Sequence, residues 1–281
     1  MHNVVCIKQV PDSAQIRVHP VTNTIMRQGV PAIINPYDLF SLEEALRIKD
    51  RFGGTLTVIC MGPPMAEAAL RKCLSYGADD AILVSDRAFA GSDTLATSYA
   101  LAATIQKVMS NMPVDLIFTG KQTIDGDTAQ VGPGIAKRLN YQLLTYVSRI
   151  VSVDPLHHEI TVERRAEGGV QLLKTALPCL ITMLEGSNEM RFGDLDDLFR
   201  AQRYNLKVWN REMAGIEDVG CIGLKGSPTV VSKVFAPKAR SQRAEMIETV
   251  DGDPKNIAAT LLAKVFTQHP SLEKAIAKLA S

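Results

Sequence analysis

Apolar residues fall along roughly the first 150 positions in two alternating patterns. Short runs rich in β-branched residues, Val4–Val10 (VVCIKQV), Thr55–Met61 (TLTVICM), Ala81–Val84 (AILV) and Val114–Phe118 (VDLIF), read as buried strands. The stretches between them carry helical periodicity. Ser41-Leu42-Glu43-Glu44 matches a capping box, Ser41 as N-cap and Glu44 reaching back, and predicts a helix to about Arg51 that Gly53-Gly54 stops. A second helical pattern follows Gly62-Pro63-Pro64 and runs through Tyr76, with Gly77 at the position after the cap. Ser92-Asp93-Thr94 offers N-cap side chains for a third, through about Met109. Ile16–Val18 and Thr24–Met26 flank a turn-rich stretch and predict a hairpin. Strand, loop and helix in repetition predict an α/β fold, a parallel sheet with helices on both faces. In such sheets ligands collect at the carboxyl ends of the strands.

The period changes from about Thr145. Tyr146–Val153, Glu159–Arg165 and Gly169–Ala176 read as a β-meander with Gly168-Gly169 as a turn, and Cys179–Leu184 as a strand returning to the main sheet. Asp194–Gln202 predicts one helix and Leu206–Trp209 a short strand. Gly215–Ser227 holds four glycines and little period. Val230–Phe235, a Pro/Lys/Arg linker and a helical end from about Pro254 complete the chain. The expected organisation is an α/β domain over 1–215, with the meander at about 145–176, and a C-terminal extension over 216–281.

Composition narrows this picture only modestly. With 281 residues, 46% hydrophobic and 22% charged, the chain is an ordinary globular sequence. A formal net charge of +1 gives no global field favouring nucleic acid. No run of about 18 apolar residues occurs, so no membrane insertion is expected. The N-terminus, MHNVVCIKQVPDS, lacks the pattern of a signal peptide, which points to a cytoplasmic location. Five cysteines, Cys6, Cys60, Cys73, Cys179 and Cys221, are scattered without a CxxC spacing and read as buried, reduced thiols.

Four loops fall at the predicted carboxyl ends of strands: Lys8 to Ser13, Asn35-Pro36-Tyr37-Asp38, Met61 to Pro64, and Gly120-Lys121-Gln122-Thr123-Ile124-Asp125-Gly126-Asp127-Thr128-Ala129-Gln130-Val131-Gly132-Pro133. The last carries the most chemistry. Gly120 lets the backbone approach a ligand closely, and Lys121 can offset phosphate charge. Asp127 and Thr128 can cap a helix starting near Ala129, whose free N–H groups suit an anion. Thr123, Thr128 and Gln130 add neutral hydrogen-bonding groups, while Asp125 and Asp127 suit ribose hydroxyls or the loop itself. The same residues equally describe a polar loop with a good N-cap. Neither GxxxxGK[ST] nor GxGxxG occurs, which disfavours a P-loop enzyme and a dinucleotide dehydrogenase of the usual kind. His157-His158 fits a solvated turn, and His2, His19 and His269 are isolated. Lys233, Lys238, Arg240 and Arg243 fit a solvated linker, Trp209 packing, and Cys6 and Cys60 small buried thiols at strand ends.

GKQTIDGDTAQVGP resembles the nucleotide-binding signature of electron-transfer flavoprotein β subunits, and NPYDLFSLEEALRIKD, VICMGPP, VVCIKQVPDS and IGLKGSPTVVSKVF match that family in order and spacing. The resemblance covers most of the chain. It implies a Rossmann-like subunit whose C-terminal extension wraps an α subunit carrying FAD on a mobile domain. It also implies nucleotide contacts from Cys6, Lys8, Asn35, Pro36, Tyr37, Asp38, Met61 and the run Gly120 to Val131.

One branch of the family holds AMP in this site. The other holds a second FAD and performs flavin-based electron bifurcation, NADH giving a hydride and the two electrons parting, one through the α-subunit FAD and one to ferredoxin or flavodoxin. Val10-Pro11-Asp12-Ser13 and Asp125 to Pro133 resemble the FAD-holding branch, compact Gly126, Ala129, Gly132 and Pro133 leaving room for a flavin. The family's docking segment for dehydrogenases usually runs NEPRY with later lysines. Here it is Asn188-Glu189-Met190-Arg191-Phe192, followed by Asp194, Asp196 and Asp197 and then Phe199-Arg200-Ala201-Gln202-Arg203, which suggests a dedicated acyl-CoA or hydroxy-acid dehydrogenase as partner. Outside the family, a nucleotide-sensing module of the universal-stress type shares the fold class, but such modules lack the meander and the extension.

Overall fold

β1 (His2–Ile7) is buried along its whole length, as expected of a central strand covered by helices on both faces. The computed structural model describes residues 1–12, 17–18, 25–26, 31–232, 244–247 and 253–280, and by packing the chain divides into residues 1–235 and 236–281. After β1, short β2 (Gln9–Pro11) pairs antiparallel with β5 (Ala32–Ile34), and β3 (Arg17–Val18) with β4 (Ile25–Met26), the expected hairpin. Then come α1 (Pro36–Phe52), β6 (Thr55–Met61), α2 (Glu67–Ser75), β7 (Asp80–Val84), α3 (Thr94–Met109), β8 (Leu116–Gly120) and α4 (Val131–Leu139). The meander follows as β9 (Gln142–Asp154), β10 (Glu159–Ala166) and β11 (Gly169–Ala176). The first unit then adds β12 (Cys179–Met183), α5 (Leu195–Arg203) and β13 (Lys207–Trp209).

The nine-stranded sheet has the order β11-β10-β9-β12-β8-β1-β6-β7-β13. Strands β9 through β13 in that order run parallel, and β10 alone runs against them, pairing antiparallel with β9 on one side and β11 on the other. β9 serves both parts: its start pairs with β12 and its later residues with β10. From β1 the chain moves out through β6 to β7, then returns through α3 to β8 on the other flank of β1. Strand order therefore reverses between β1 and β8, the place where open α/β sheets form a crevice.

The helices divide cleanly. Leu42 and Leu46 of α1 and Leu70 and Leu74 of α2 pack with Leu116 and Phe118 on one face. Leu101 and Ile105 of α3 and Ile135 of α4 pack with Val4 and Ile117 on the other. Each such leucine or isoleucine, fully buried, contributes about 1.5–3 kcal/mol. Cys6, Cys60, Cys73 and Cys179 are buried free thiols as expected, whereas Cys221 is partly exposed. Trp209 packs against the α3–α4 core, and His157 and His158 sit in an exposed turn. In the second unit, α6 (Pro254–Gln268) opens at Asp253, whose side chain accepts from Lys255 N, and α7 (Pro270–Ala280) follows. The basic residues Lys233, Lys238, Arg240 and Arg243, together with Ser13 and His19, lie outside the described residues.

Two helix starts differ from the sequence reading. α1 begins at Pro36, not at Ser41. Proline at the first helical position needs no N–H acceptor and presets φ, while the residue before it is driven to extended backbone, as Asn35 is with ψ 123°. Ser41 and Glu43 are thus buried inside the helix, and Glu44 accepts from Asn188 Nδ2 at 3.1 Å. α4 begins at Val131, with Gln130 in the cap position and no side-chain cap. Asp127 and Ala129 stand at φ 52° and 54°, left-handed conformations that a right-handed helix cannot contain. Asp127 and Thr128 accordingly do not cap it.

Candidate functional site

A cleft of about 450 Å³ opens at the carboxyl ends of β1 and β8, on the α3–α4 side of the sheet. Its floor is built by register. Cys6 pairs with Thr119 across β1 and β8, and both project toward α3 and α4 together with Val4 and Ile117.

Asp38 secures the crest. Starting α1 at Pro36 places this residue in the first helical turn, only 4% exposed. There its carboxylate accepts from Lys8 N at 2.7 Å and Gly120 N at 3.1 Å, tying the ends of β1 and β8 to one group. Burial outweighs these bonds and pushes its pKa up to about 7. Gly120 is required for this closeness: a Cβ there would lie 2.5 Å from Asp38 Oδ1 and 2.7 Å from Tyr37 Cβ.

The β8–α4 loop is fastened from the same helix start. Asn35 donates through Nδ2 to Gln122 O at 2.9 Å and accepts at Oδ1 from Ile124 N at 3.2 Å. Lys8 Nζ reaches both oxygens of Asp125 at 2.7 and 2.8 Å. Burial works against the Asp125 charge, but hydrogen bonds from Lys8 and Thr123 prevail and hold its carboxyl below the usual range. Gln122 Nε2 donates to Asp127 Oδ1 at 2.7 Å. Lys121 lies over the Tyr37 ring at 4.8 Å and pairs with Glu185 at 3.2 Å. Both lysines of the cleft thus already have carboxylate partners.

Of the residues singled out from sequence, Cys6, Lys8, Asp38, Met61, Gly120, Lys121, Gln122, Thr123, Gly126, Thr128, Ala129, Gln130 and Val131 line the cleft. Asn35, Pro36, Tyr37, Ile124, Asp125 and Asp127 stand behind that lining, several of them holding the loop.

A second part of the wall carries no local signal in the sequence. Phe89, Gly91, Ser92, Asp93, Thr94, Thr97 and Leu101, just before α3 and in its first half, complete the cleft with Ile7, Thr119, Gly132 and Val231. The sequence marks Asp93 only as a helix cap, and it does accept from Leu95 N and Ala96 N. Its other oxygen accepts from Thr229 N and Oγ1 at 3.1 and 2.8 Å, pinning the GSPTV segment beside the opening. Thr94 Oγ1 donates to Gln130 Oε1 at 2.7 Å, joining the two helix starts.

The lining suits a nucleotide in its chemistry. Compact Gly91, Gly126, Ala129 and Gly132 leave the backbone accessible, and neutral hydroxyl and amide groups outnumber free charges. The Thr119 hydroxyl is buried without a hydrogen-bond partner. Phe89, Leu101 and Met61 supply an apolar side, the usual mixture of a cofactor pocket. Among the described residues no cluster of His, Cys, Asp and Glu suits a metal ion.

Comparison with known proteins agrees with this architecture. Residues 22–212 match the electron transfer flavoprotein domain. The chain is 82% identical over 280 residues to Protein FixA of Azotobacter vinelandii, covering 100% of both chains. It is 42% identical to the electron transfer flavoprotein subunit beta of Clostridium acetobutylicum over 96% of this chain and 99% of that one. It is 43% identical, at the same coverage, to the caffeyl-CoA reductase-Etf complex subunit CarD of Acetobacterium woodii. By fold, by its matched domain and by full-length similarity, this chain belongs to the electron transfer flavoprotein family, as a β-type subunit.

Proposed function

We propose that this β subunit holds FAD in the cleft between β1 and β8 and, with its α subunit, takes electrons from NADH for bifurcation between a ferredoxin or flavodoxin and a partner dehydrogenase. Family membership sets aside the universal-stress-type module and implies an α-subunit partner. The C-terminal extension is the segment assigned to that partner.

The observation that carries the choice of FAD is the second wall of the cleft. The opening runs from the β8–α4 loop to the first half of α3 and the residues before it, where Phe89, Ser92, Thr94, Thr97 and Leu101 line it. A dinucleotide, being the longer ligand, can use both sides of such a cleft, whereas a mononucleotide needs only part of the lining. When bound, the flavin would supply the exchange between two-electron and one-electron chemistry.

The chain's own residues bind, orient and exclude water. Asp38 and Asn35 fix the strand ends and the loop, Lys8 and Lys121 are kept in place by Asp125 and Glu185, and Phe89, Leu101 and Met61 shield the apolar side. No side chain is assigned as nucleophile or general acid. The similarity to a subunit of a caffeyl-CoA reductase-Etf complex supports a dehydrogenase of the acyl-CoA type, or a related hydroxy-acid enzyme, as partner.

The test is to co-express the chain with its α subunit, denature the purified heterodimer and quantify released FAD and AMP. Two FAD per heterodimer is the expected result. One FAD with one AMP would replace bifurcation by simple electron shuttling.

A further inference from the structure

We propose that the hydroxyl of Thr119 donates a hydrogen bond to a phosphate oxygen of the bound nucleotide, which makes it the point where the sheet itself grips the ligand. This rests on the reading that the cleft holds a nucleotide.

The argument begins with register. At the carboxyl end of the sheet Ile59, Cys6, Thr119 and Thr182 form one row across β6, β1, β8 and β12. Leu116 and Phe118 of β8 join the core on the α1–α2 face, so Ile117 and Thr119 face α3 and α4. Thr182 has its partner, accepting from Tyr146 N at 3.1 Å. Thr119 has none: its Oγ1 is buried in a residue only 6% exposed, on the wall of the cleft. Buried hydroxyls are rarely left unpaired, because the loss of water is then uncompensated.

The surroundings define what would satisfy it. A Cβ at Gly132 would fall 2.7 Å from Thr119 Oγ1, so the bare glycine brings the first turn of α4 against the hydroxyl. In that turn Val131 and Gly132 have no intrahelical acceptor for their N–H groups, and Pro133 has no N–H to offer. Cys6, the register partner, stays a protonated thiol, since burial and the neighbouring Asp38 both disfavour its thiolate. The floor therefore gathers donors from a hydroxyl, a helix start and a thiol. Such a set calls for an acceptor-rich anionic oxygen.

The test compares wild type, Thr119→Val and Thr119→Ser as heterodimers with the α subunit, freed of nucleotide. Calorimetric titration with FAD and with AMP reads affinity, and thermal unfolding with and without nucleotide reads stability. Thr119→Val is expected to bind about tenfold more weakly, the size of one hydrogen bond to a charged group. Its nucleotide-free Tm should stay unchanged or rise, because an unpaired hydroxyl has been removed, and Thr119→Ser should bind like wild type. Inorganic phosphate should compete for the wild-type site more strongly than for Thr119→Val.

Equal affinity of wild type and Thr119→Val would overturn the inference, as would a nucleotide-free Tm that falls as far as the nucleotide-bound one. Equal phosphate competition would overturn the assignment to phosphate. A wild-type complex that binds neither nucleotide would overturn the parent reading and this inference with it.

Discussion

Asp38 is a carboxyl group enclosed by protein, accepting two backbone N–H groups from different strands. Its folded pKa, about 7, stands above the ordinary 3.8, so the folded state retains a proton that the unfolded chain gives up. The contribution of this group to stability is therefore greatest below about pH 4. It declines as pH rises toward 7 and is level above that, with an upper bound of about 4 kcal/mol for the whole change. Asp38→Asn removes the titration but sets an amide N–H against one of the two backbone donors. The variant is expected to show a lower Tm at acid pH and a flatter Tm profile between pH 4 and 7. Parallel profiles for the two proteins would assign the slope to another group.

At the scale of elements, the β8–α4 loop depends on a residue far from it in sequence. Asn35 supplies two of its hydrogen bonds, one to Gln122 O and one from Ile124 N. Asn35→Ala should cost about 2 kcal/mol, since each bond is worth about 1 kcal/mol and two backbone groups lose their partner. Hydrogen exchange should quicken at Ile124 and its loop neighbours while the amides of β1 and β6 keep their protection. Unchanged loop exchange would show that Asn35 is not what holds it.

This dependence also marks where sequence reading stopped. The strands, the meander and the helix of Asp93 were legible because their periodicity and caps are local. Ser41-Leu42-Glu43-Glu44 imitated a helix start, yet Asn35-Pro36 prevailed through the fixed φ of proline. Most of the loop residues were found because polar side chains next to Gly120 follow a strand. Phe89, Thr97 and Leu101 were missed: they lie on or beside α3, and only the return of the chain to the far flank of β1 brings them to the cleft. That return is set by packing between distant segments, which no local pattern encodes.

On the scale of the whole molecule, the stretch 188–203 presents an exposed apolar surface. Phe192 is 97% exposed and Leu195 71% exposed, and Phe199 adds to the same apolar display at α5. α5 packs on α2, its Arg200 bonded to Leu74 O, and so belongs to the α1–α2 face. Exposed aromatic and aliphatic side chains grouped in this way mark interaction sites. Leu195→Glu should leave the Tm and the pairing with the α subunit unchanged while slowing electron exchange with the dehydrogenase at least tenfold, as read by stopped-flow. A rate equal to wild type would place dehydrogenase docking elsewhere.

The cleft opens on the α3–α4 side of the sheet, whereas α5 stands on the other. The consequence is one of traffic. If a small reductant used the cleft and a protein partner rested on α5, as proposed, the two would approach from opposite sides of one wall, and neither would have to leave before the other came. Under that proposal, occupancy of one would not obstruct the other, and the order of arrival would be left to concentration.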